Sequence, residues 1–391
     1  ELEDEIDALR SKLDTARLAV LRLGEQYGGV LLAIKRQLNS YLVVQQAQGM
    51  FGRLNHLCCV TGWVPKENLE PLRKVVSKAT DGVGIVEAID ADDDALVKAG
   101  LDSVPVKFRS TAVERPFQML VTNFAIPNYH ELDPSFFVGL TFVIMFGYMF
   151  GDVGQGAVLA LLGLYLRFSR RAFKPALRDV GTLFSLCGLS AVVFGFCYGS
   201  FFGYENHAFF APLWLGPIQQ RDIPQLLLTA VGMGVVFISI AVMINVCNHF
   251  LAKRYFEGAF DKFGLLGICF YWGMLGVGIN VAITRSFALW QLLFVAVPLL
   301  LLFLKEPLHN LIHHHNPFYQ SSCFNVVLEG SIELMETLTG YLSGTVSFVR
   351  VGAFAISHAA LCLAVFAIVG MLQDLTMGGV LSVIVAVLGN L

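Results

Sequence analysis

Long apolar runs follow one another from residue 134 to residue 391 and constrain the fold of this chain more than any other feature. Most of them approach the length of about 20 residues that a helix needs to cross the hydrocarbon core of a bilayer. Of all residues, 55% are hydrophobic and 15% are charged, whereas about 25% of the residues in a soluble domain are charged. The sequence therefore predicts a mainly α-helical, polytopic membrane protein.

The apolar runs predict seven complete spans and an eighth that is cut off at Leu391. Their bounds are 135–150, 154–168, 180–199, 223–246, 264–284, 288–304, 327–372 and a start near 379. The seventh run predicts one helix of ~45 residues, which at 1.5 Å per residue is far longer than the hydrocarbon core of about 30 Å. This helix must tilt strongly or extend beyond the bilayer.

The loops between the predicted spans differ in their content of basic residues. If residues 1–130 lie in the cytoplasm, the cytoplasmic side holds Arg167, Arg170, Arg171, Lys174, Arg178, Lys253, Arg254, Lys262 and Lys305. The opposite loops hold only Arg221 and Arg285. Cytoplasmic loops of membrane proteins carry an excess of lysine and arginine, so the N-terminal region is predicted to be cytoplasmic.

Residues 1–115 carry most of the charge and predict a cytoplasmic coiled-coil stalk with a small α/β domain. Apolar residues recur at steps of four and three, as in the heptads of a coiled coil. The seam consists of Leu2, Ile6, Leu9, Leu13, Ala16, Val20, Leu23 and Tyr27. One strand of a seam cannot bury itself, so its partner is either an upstream helix of the same chain or another subunit.

The α/β part is predicted from a strand at 56–65, an amphipathic helix at 66–80 and a second strand at 82–89. A linker at 116–133 and a membrane ion-translocation domain at 134–391 complete the predicted organisation. The net charge of −3 gives no reason to expect nucleic acid binding.

The seventh apolar run carries polar groups on one face. Glu336, Ser343, Ser347 and Arg350 are spaced seven, four and three residues apart, which keeps them within about 60° around a helix. His358 lies about 80° around the same helix from Arg350. An arginine near the middle of a bilayer raises the free energy of insertion, and its guanidinium keeps its proton. Either these groups form an ion path beside a fixed charge, or Arg350 only pairs with a carboxylate on another span.

The sequence around this arginine resembles a known motif. Residues 343–358 read S-G-T-V-S-F-V-R-V-G-A-F-A-I-S-H, similar to the penultimate-helix motif of subunit a, also called subunit I, of V-type and archaeal A-type rotary ATPases. Similar stretches lie at 61–65, 115–120, 129–134, 145–156 and 194–203. Gly344 and the pair Val351 and Gly352 depart from the family pattern, but the arginine is kept. The resemblance also implies that the N-terminal half of the family's soluble domain and the polar cluster on its last helix lie outside this chain.

The resemblance implies eight spans and a role in ion translocation. Arg350 matches the family's essential arginine, which faces a rotating ring of c-type subunits, separates two half-channels and modulates the ring carboxylates. Glu336 and His358 match residues that handle protons in the half-channels, and Ser343 and Ser347 would line them. The implied function is the membrane stator subunit of a rotary ATPase or ATP synthase that moves protons or sodium ions.

The implied partners are the c-ring of proteolipid subunits, the peripheral stalk subunits, the central-stalk-linked membrane subunit and the soluble ATPase sector. A multi-pass position in the lipid bilayer of a prokaryotic plasma membrane is implied as well. The sequence contains no nucleotide-binding motif. Neither a cofactor nor a catalytic ATP site of its own is therefore predicted.

Two further motifs suggest ligand sites, but the sequence does not support such sites. His309 and His313–His315 suggest a metal site, but consecutive histidines point in different directions around a helix, so none is predicted. The glycine-rich stretch at 151–156 lacks the Lys-Ser/Thr ending of a phosphate loop. It predicts a tight hairpin turn whose Asp152 borders an aqueous entrance.

A self-contained ion-coupled secondary transporter or channel is the alternative function. Such a protein would be expected to show inverted repeats and broken helices, and the sequence has no convincing internal repeat. A purely structural membrane anchor, with Arg350 in a static ion pair, is the third hypothesis.

Overall fold

The computed structural model of the chain divides into two compact units, Glu1–Pro105 and Val106–Leu391. The residues that it describes are 2–49, 52–54, 57–108, 111–169, 175–204, 212–214, 216–217, 221–285, 289–305, 308, 323–373, 382–383, 385–387 and 389. The predicted eighth span lies largely outside these residues, and its few described residues are helical.

The first unit begins with α1 (Leu2–Gly49), a single helix of 48 residues that is about 72 Å long. The helix predicted over the heptad seam is therefore confirmed, and its role as a coiled-coil stalk stays a prediction. Leu9 and Val20 of the seam are 62% and 68% exposed. Because a long helix is stabilised mainly by packing of its apolar face, the need for a partner helix remains a prediction.

A hairpin and a helix follow in the same unit. The elements are β1 (Gly52–Leu54), β2 (Leu57–Cys59), a 3₁₀ turn (Lys66–Asn68), α2 (Leu69–Ala79) and the single turn α3 (Ala95–Lys98). β1 and β2 pair antiparallel, with Arg53 opposite Cys58. The predicted strand at 56–65 thus exists only near its start, whereas the predicted amphipathic helix at 66–80 is confirmed.

The prediction of a second strand at 82–89 is wrong, because these residues form no strand. A strand needs a neighbour that takes its backbone hydrogen bonds, and the described residues contain one sheet, made of β1 and β2 alone. Val83 and Ile85 are 83% and 94% exposed, so the alternating pattern has no core to face. The N–H of Gly84 instead donates to Thr80 Oγ1 at 2.8 Å, just beyond the end of α2.

The second unit is built from helices. They are α4 (Arg115–Phe124), α5 (Ser135–Met149), α6 (Val153–Phe168), α7 (Pro175–Tyr198), α8 (Ile223–Leu251), α9 (Tyr255–Phe260), α10 (Leu265–Thr284), α11 (Leu289–Phe303), α12 (Cys323–Ser347) and α13 (Val349–Gln373). α5, α6, α7, α8, α10 and α11 agree with the first six predicted spans to within five residues at each end. Because long apolar runs determine both length and position, the sequence predicts these helices closely.

Among the described residues, four helical segments are long and apolar enough to cross a membrane. They are Ala176–Tyr198, Ile223–Leu251, Tyr255–Thr284 and Val327–Leu372. Shorter apolar helices occur at Ser135–Met149, Val153–Phe168 and Gln291–Phe303. The mainly α membrane fold is therefore confirmed. The segment that the sequence suggests as a linker contains α4, whose Phe117 is buried against Gly139 of α5.

α6 and α7 form an antiparallel hairpin in which the two backbones touch. A Cβ atom on Gly156 would lie 2.8 Å from the backbone nitrogen of Val192 and 2.9 Å from the oxygen of Gly188. Gly163 meets the backbone of Gly181 and Ser185 in the same way. On each helix these glycines recur every seven residues, so they share one face. The hairpin is close-packed because no side chain separates its helices along this line.

α12 is anchored to α10 through aromatic and hydroxyl groups. The rings of Tyr341 and Tyr271 stack with their centroids 4.9 Å apart. The hydroxyl of Tyr271 lies 2.8 Å from Thr345 Oγ1, which also donates to the carbonyl of Tyr341 at 2.7 Å. All three residues are buried. The α12 turn that precedes residue 348 is thereby fixed.

α13 packs on α8 through small and aliphatic residues. Val351 and Ala355 are buried in one cluster with Leu226 and Ala230. A Cβ atom on Gly352 would lie 3.3 Å from the Cβ of Ala230. The small residues bring the helices close together, and the opposite side of α13 is left at the surface of the unit.

Candidate functional site on the long membrane helix

The polar stripe predicted on the seventh span lies on the surface of the second unit. Glu336, Ser343 and Ser347 of α12 and Arg350 of α13 are all exposed, as is Ser357, seven residues after Arg350. On α13, the buried Val351 and Ala355 lie about 100° and 140° around the helix from Arg350. The structure therefore brings four of the five predicted site residues onto one exposed face.

The helix that carries this stripe is interrupted at Phe348. Residues 327–372 are helical as predicted, but α12 ends at Ser347 and α13 begins at Val349. Two hydrogen bonds of three-residue span cross the interruption. The N–H of Phe348 donates to the carbonyl of Thr345 at 3.2 Å, and the N–H of Val351 donates to that of Phe348 at 3.0 Å. This is the tighter 3₁₀ pattern, which the apolar periodicity gave no means to predict.

Arg350 has no ion pair with any of the described residues. The pairs found in the second unit involve His249, Arg254, Lys262 and Lys305 with carboxylates on α9, α12 and the α9–α10 loop. Within the described part of the chain, the five N–H donors of this guanidinium are therefore left for a group outside it. Chemically, Arg350 is a permanent positive charge presented outward from the unit.

Glu336 is paired with a lysine from the loop between α9 and α10. Its carboxylate lies 2.9 Å from Lys262 Nζ, and both side chains are partly exposed. The carbonyl of Lys262 accepts a hydrogen bond from the hydroxyl of Tyr341 at 3.1 Å. Lys262 is thus held in place by its backbone while its ammonium group reaches Glu336.

A second ion pair lies one helical turn before Glu336. Lys305, just after α11, reaches Glu333 at 2.6 Å and Asp261 at 3.5 Å. Burial lowers the pKa of Lys305, but the hydrogen bond and the charge of Glu333, together with Asp261, outweigh that effect and raise it overall. The middle of α12 is therefore tied by charges to Lys305 and to the α9–α10 loop.

His358 lies apart from the exposed stripe. Its ring packs edge-on against Phe150, with the centroids 5.5 Å apart. It lines a small cavity together with Tyr198, Ser200 and Met149. Its Nε2 atom is buried and has no hydrogen-bond partner among the described residues. The imidazole therefore faces the interior of the helix group, at an angle of about 80° around the helix from Arg350.

Asp152 forms the tight turn predicted between α5 and α6. It is fully buried and caps α6 by accepting the N–H of Gln155 at 2.8 Å. It also accepts the N–H of Phe202 at 2.9 Å, the N–H of Gly203 at 2.7 Å and the hydroxyl of Ser200 at 2.7 Å. Four donors thus converge on one carboxylate. Asp152 joins the start of α6 to the chain that follows α7.

The histidines considered as metal ligands, His309 and His313–His315, lie outside the described residues. Within the part of the chain that is described, no group of three His, Cys, Asp or Glu side chains is arranged to hold a metal ion.

Two features of this site could not be predicted from the sequence. Lys262 is noted in the sequence only as a loop charge, because its partner Glu336 is 74 residues away. The contact between Phe348 and Gly234 is also long-range. The signals available were a lysine directly before an apolar run and a glycine within one, and neither identifies a partner.

Comparisons with known proteins support one family. The model of the V-type ATPase 116kDa subunit family matches residues 1–222. The A-type ATP synthase subunit I of Methanocaldococcus jannaschii is 25% identical over 210 residues, which are 54% of this chain and 30% of that protein. The V-type ATP synthase subunit I 2 of Treponema pallidum is 28% identical over 182 residues, which are 46% of this chain and 40% of that protein.

A longer match is found with the A-type ATP synthase subunit I of Methanothermobacter thermautotrophicus. It is 23% identical over 367 residues, which are 92% of this chain and 50% of that protein. This chain therefore spans half or less of the length of each of these relatives. The family model covers more than half of the 391 residues and ends before α12 and α13. On the strength of this match, the chain belongs to the V-type ATPase 116kDa subunit family.

Proposed function

We propose that this chain is the membrane stator subunit of a rotary ATPase or ATP synthase and forms ion half-channels against a ring of c-type subunits. The observation that carries the proposal is the exposed position of Arg350, which has no ion pair among the described residues. A charge presented outward from an apolar helix needs a partner on another polypeptide. A carboxylate on a passing ring subunit meets that need.

The proposed mechanism rests on electrostatics. A permanent cation lowers the pKa of a carboxylate that comes close to it and so favours release of the bound proton. The same charge opposes direct passage of a cation from one half-channel to the other. Arg350 would thus both unload the ring carboxylate and separate the two half-channels, whether the ion is a proton or sodium.

We assign roles to the other predicted site residues from their positions relative to Arg350. Ser343 and Ser347 are exposed beside Arg350 and would line the first half-channel with hydroxyl groups. Glu336 would handle protons at its entrance, where Lys262 holds the carboxylate. His358, which faces the interior cavity, would handle protons in the second half-channel.

The names of the relatives support the remaining assignments. Subunits of A-type and V-type ATP synthases act within a multi-subunit complex, so we infer a c-ring, peripheral stalk subunits, a central-stalk-linked membrane subunit and a soluble ATPase sector as partners. ATP chemistry would take place on that sector. The N-terminal unit would lie in the cytoplasm of a prokaryotic cell, with the second unit in the plasma membrane.

The anchor hypothesis would require Arg350 to be held by a carboxylate of this chain. Three described carboxylates on or near α12, namely Asp261, Glu333 and Glu336, are instead engaged by Lys262 and Lys305. This distribution of charges favours the stator function over the anchor.

The test is to replace the arginine in the assembled complex. Arg350→Gln keeps a polar side chain and removes the permanent charge, so we expect ATP-driven ion pumping to fall to background while the complex still assembles. Arg285→Gln is the matched control, since Arg285 is an exposed arginine at the end of α10. Pumping and ATP hydrolysis are measured in the same membrane vesicles. Normal pumping by Arg350→Gln would contradict the proposed function.

A further inference from the structure

The residue that interrupts the long helix is seated against a glycine of a neighbouring helix. Gly234 of α8 is buried, and a Cβ atom added to it would lie 2.8 Å from the Cβ of Phe348 and closer still to its ring. Phe237, one turn along α8, packs against the same ring with the centroids 6.1 Å apart. The ring of Phe348 therefore occupies a notch on the surface of α8, which exists because Gly234 has no side chain.

The interruption changes how the two halves of the helix are rotated relative to each other. A residue in a 3₁₀ turn advances about 120° around the axis, whereas a residue in an α-helix advances about 100°. Arg350 lies two residues after Phe348, whereas Glu336, Ser343 and Ser347 lie before it. The angle between the guanidinium and the α12 part of the polar stripe therefore depends on the interruption.

Both sides of the interruption are anchored. Before it, Thr345 is hydrogen-bonded to Tyr271 of α10 at 2.8 Å. After it, Val351 is buried against α8. Phe348 lies between these two anchors and is the residue at which the α-helical hydrogen bonding is interrupted. Its ring lies in the notch at Gly234. Arg350 extends outward from a segment whose inward contacts on either side are fixed.

We propose that Phe348, seated against Gly234, is a positioning residue that sets the direction in which Arg350 leaves the helix. It touches no ion and no ring carboxylate, and it acts through the backbone of the interruption. The inference rests on the proposed function of Arg350 and extends it to α8. It also gives a reason for an aromatic residue two positions before the arginine and for a glycine 114 residues before that aromatic residue.

The test adds a methyl group at position 234, where the ring of Phe348 lies. Gly234→Ala adds a carbon where the ring of Phe348 lies, so the ring must move and the interruption must change with it. Gly232→Ala is the matched control, because Gly232 lies on the same helix, is exposed and has no atom within 4 Å of an added Cβ. The double variant Gly234→Ala, Phe348→Ala removes Cγ and Cδ2 of Phe348, the two atoms nearest the added Cβ, so that the new methyl group takes the place of the ring in the notch.

The measurement is the number of ions pumped per ATP hydrolysed in membranes that carry the assembled complex. We expect Gly234→Ala to lower this ratio several-fold at an unchanged amount of complex. Gly232→Ala should keep the wild-type ratio, and the double variant should recover most of it. A purely structural role would instead reduce pumping, hydrolysis and the amount of complex in parallel.

Two results would overturn the inference. One is a Gly234→Ala variant with the same ratio as Gly232→Ala. The other is a parallel loss of activity and complex that the double variant does not restore. Arg350→Gln is measured alongside: if it pumps normally, the proposed function itself fails. If it does not pump while Gly234→Ala behaves like the control, only the positioning role of Phe348 fails.

Discussion

At the scale of single residues, Asp152 has the largest set of donors around one carboxylate in the described part of the chain. It is fully buried, and its two oxygens accept three backbone N–H groups and one hydroxyl. A buried carboxylate is tolerated when hydrogen bonds replace its hydration. Because these donors come from both α6 and the segment after α7, the residue holds the open end of that hairpin.

Asp152→Asn should destabilise the protein. The substituted amide places an NH₂ group where one oxygen accepted two bonds, so donors such as the Gly203 N–H face another donor. Leaving a buried donor unsatisfied costs about 1–3 kcal/mol. Asp133→Asn is the control: the carboxylate of the exposed Asp133 accepts the N–H of Ser135 at 2.9 Å, and an amide oxygen keeps that bond. Thermal unfolding of the purified full-length protein compares the two. Equal shifts in Tm would contradict the role given to Asp152.

Residues differ in how far the sequence alone reveals them. Arg350 is conspicuous because an ionised group in an apolar run is expensive. Its exposed position also follows from helical spacing to the polar residues around it. Phe348 and Gly234 carry no such signal, since an aromatic residue and a glycine are ordinary in a membrane helix. Their role depends on the contact between two helices, and that contact cannot be predicted from a single sequence.

At the scale of elements, the α6–α7 hairpin is held by the contact of its backbones. Gly188 lies so close to α6 that an added Cβ would be 2.7 Å from the carbonyl oxygen of Gly156. Backbone atoms cannot move aside as the end of a flexible side chain can. The two helices must therefore separate if either glycine acquires a side chain.

Gly188→Val should weaken the hairpin. Overpacking at a close contact costs about 1–3 kcal/mol, and the separation of two helices places Gly188 at the upper end of that range. Gly278→Val is the control, since Gly278 is an exposed glycine of α10 with no atom within 4 Å of an added Cβ. Denaturant unfolding of both variants in the same detergent measures the difference. The contact is less important than inferred if both variants unfold at the same denaturant concentration.

The elements themselves were largely predictable, because length and apolarity determine a membrane helix. The strand predicted at 82–89 failed for the opposite reason. A strand depends on a partner, and alternation over eight residues does not supply one. The interruption at Phe348 was also missed, since apolar periodicity is too coarse to register one turn of 3₁₀ hydrogen bonding.

At the scale of the whole molecule, the predicted topology places the first unit in the cytoplasm. The prediction follows from the excess of basic residues in alternate loops. Two neighbouring cysteines in the first unit, Cys58 and Cys59, are both exposed. They provide a natural label for the side of the membrane on which the unit lies.

A thiol reagent that does not cross membranes should label Cys58 and Cys59 in inside-out vesicles and leave them unlabelled in intact cells. The expected reason is that only the inverted vesicles present the cytoplasmic side. The double variant Cys58→Ser, Cys59→Ser controls for labelling of other thiols, such as the exposed Cys269 of α10. Labelling in intact cells that disappears in the double variant would show the topology prediction to be wrong.

The α6–α7 hairpin has a mechanical consequence under the proposed function. The stationary part of a rotary motor bears a reaction torque equal and opposite to the one on the moving part. Side-chain interfaces yield under load because rotamers can change, whereas two backbones in contact at Gly156 and Gly188 have no such compliance. The hairpin would therefore deform little under this torque and would transmit the force to the helices that pack against it.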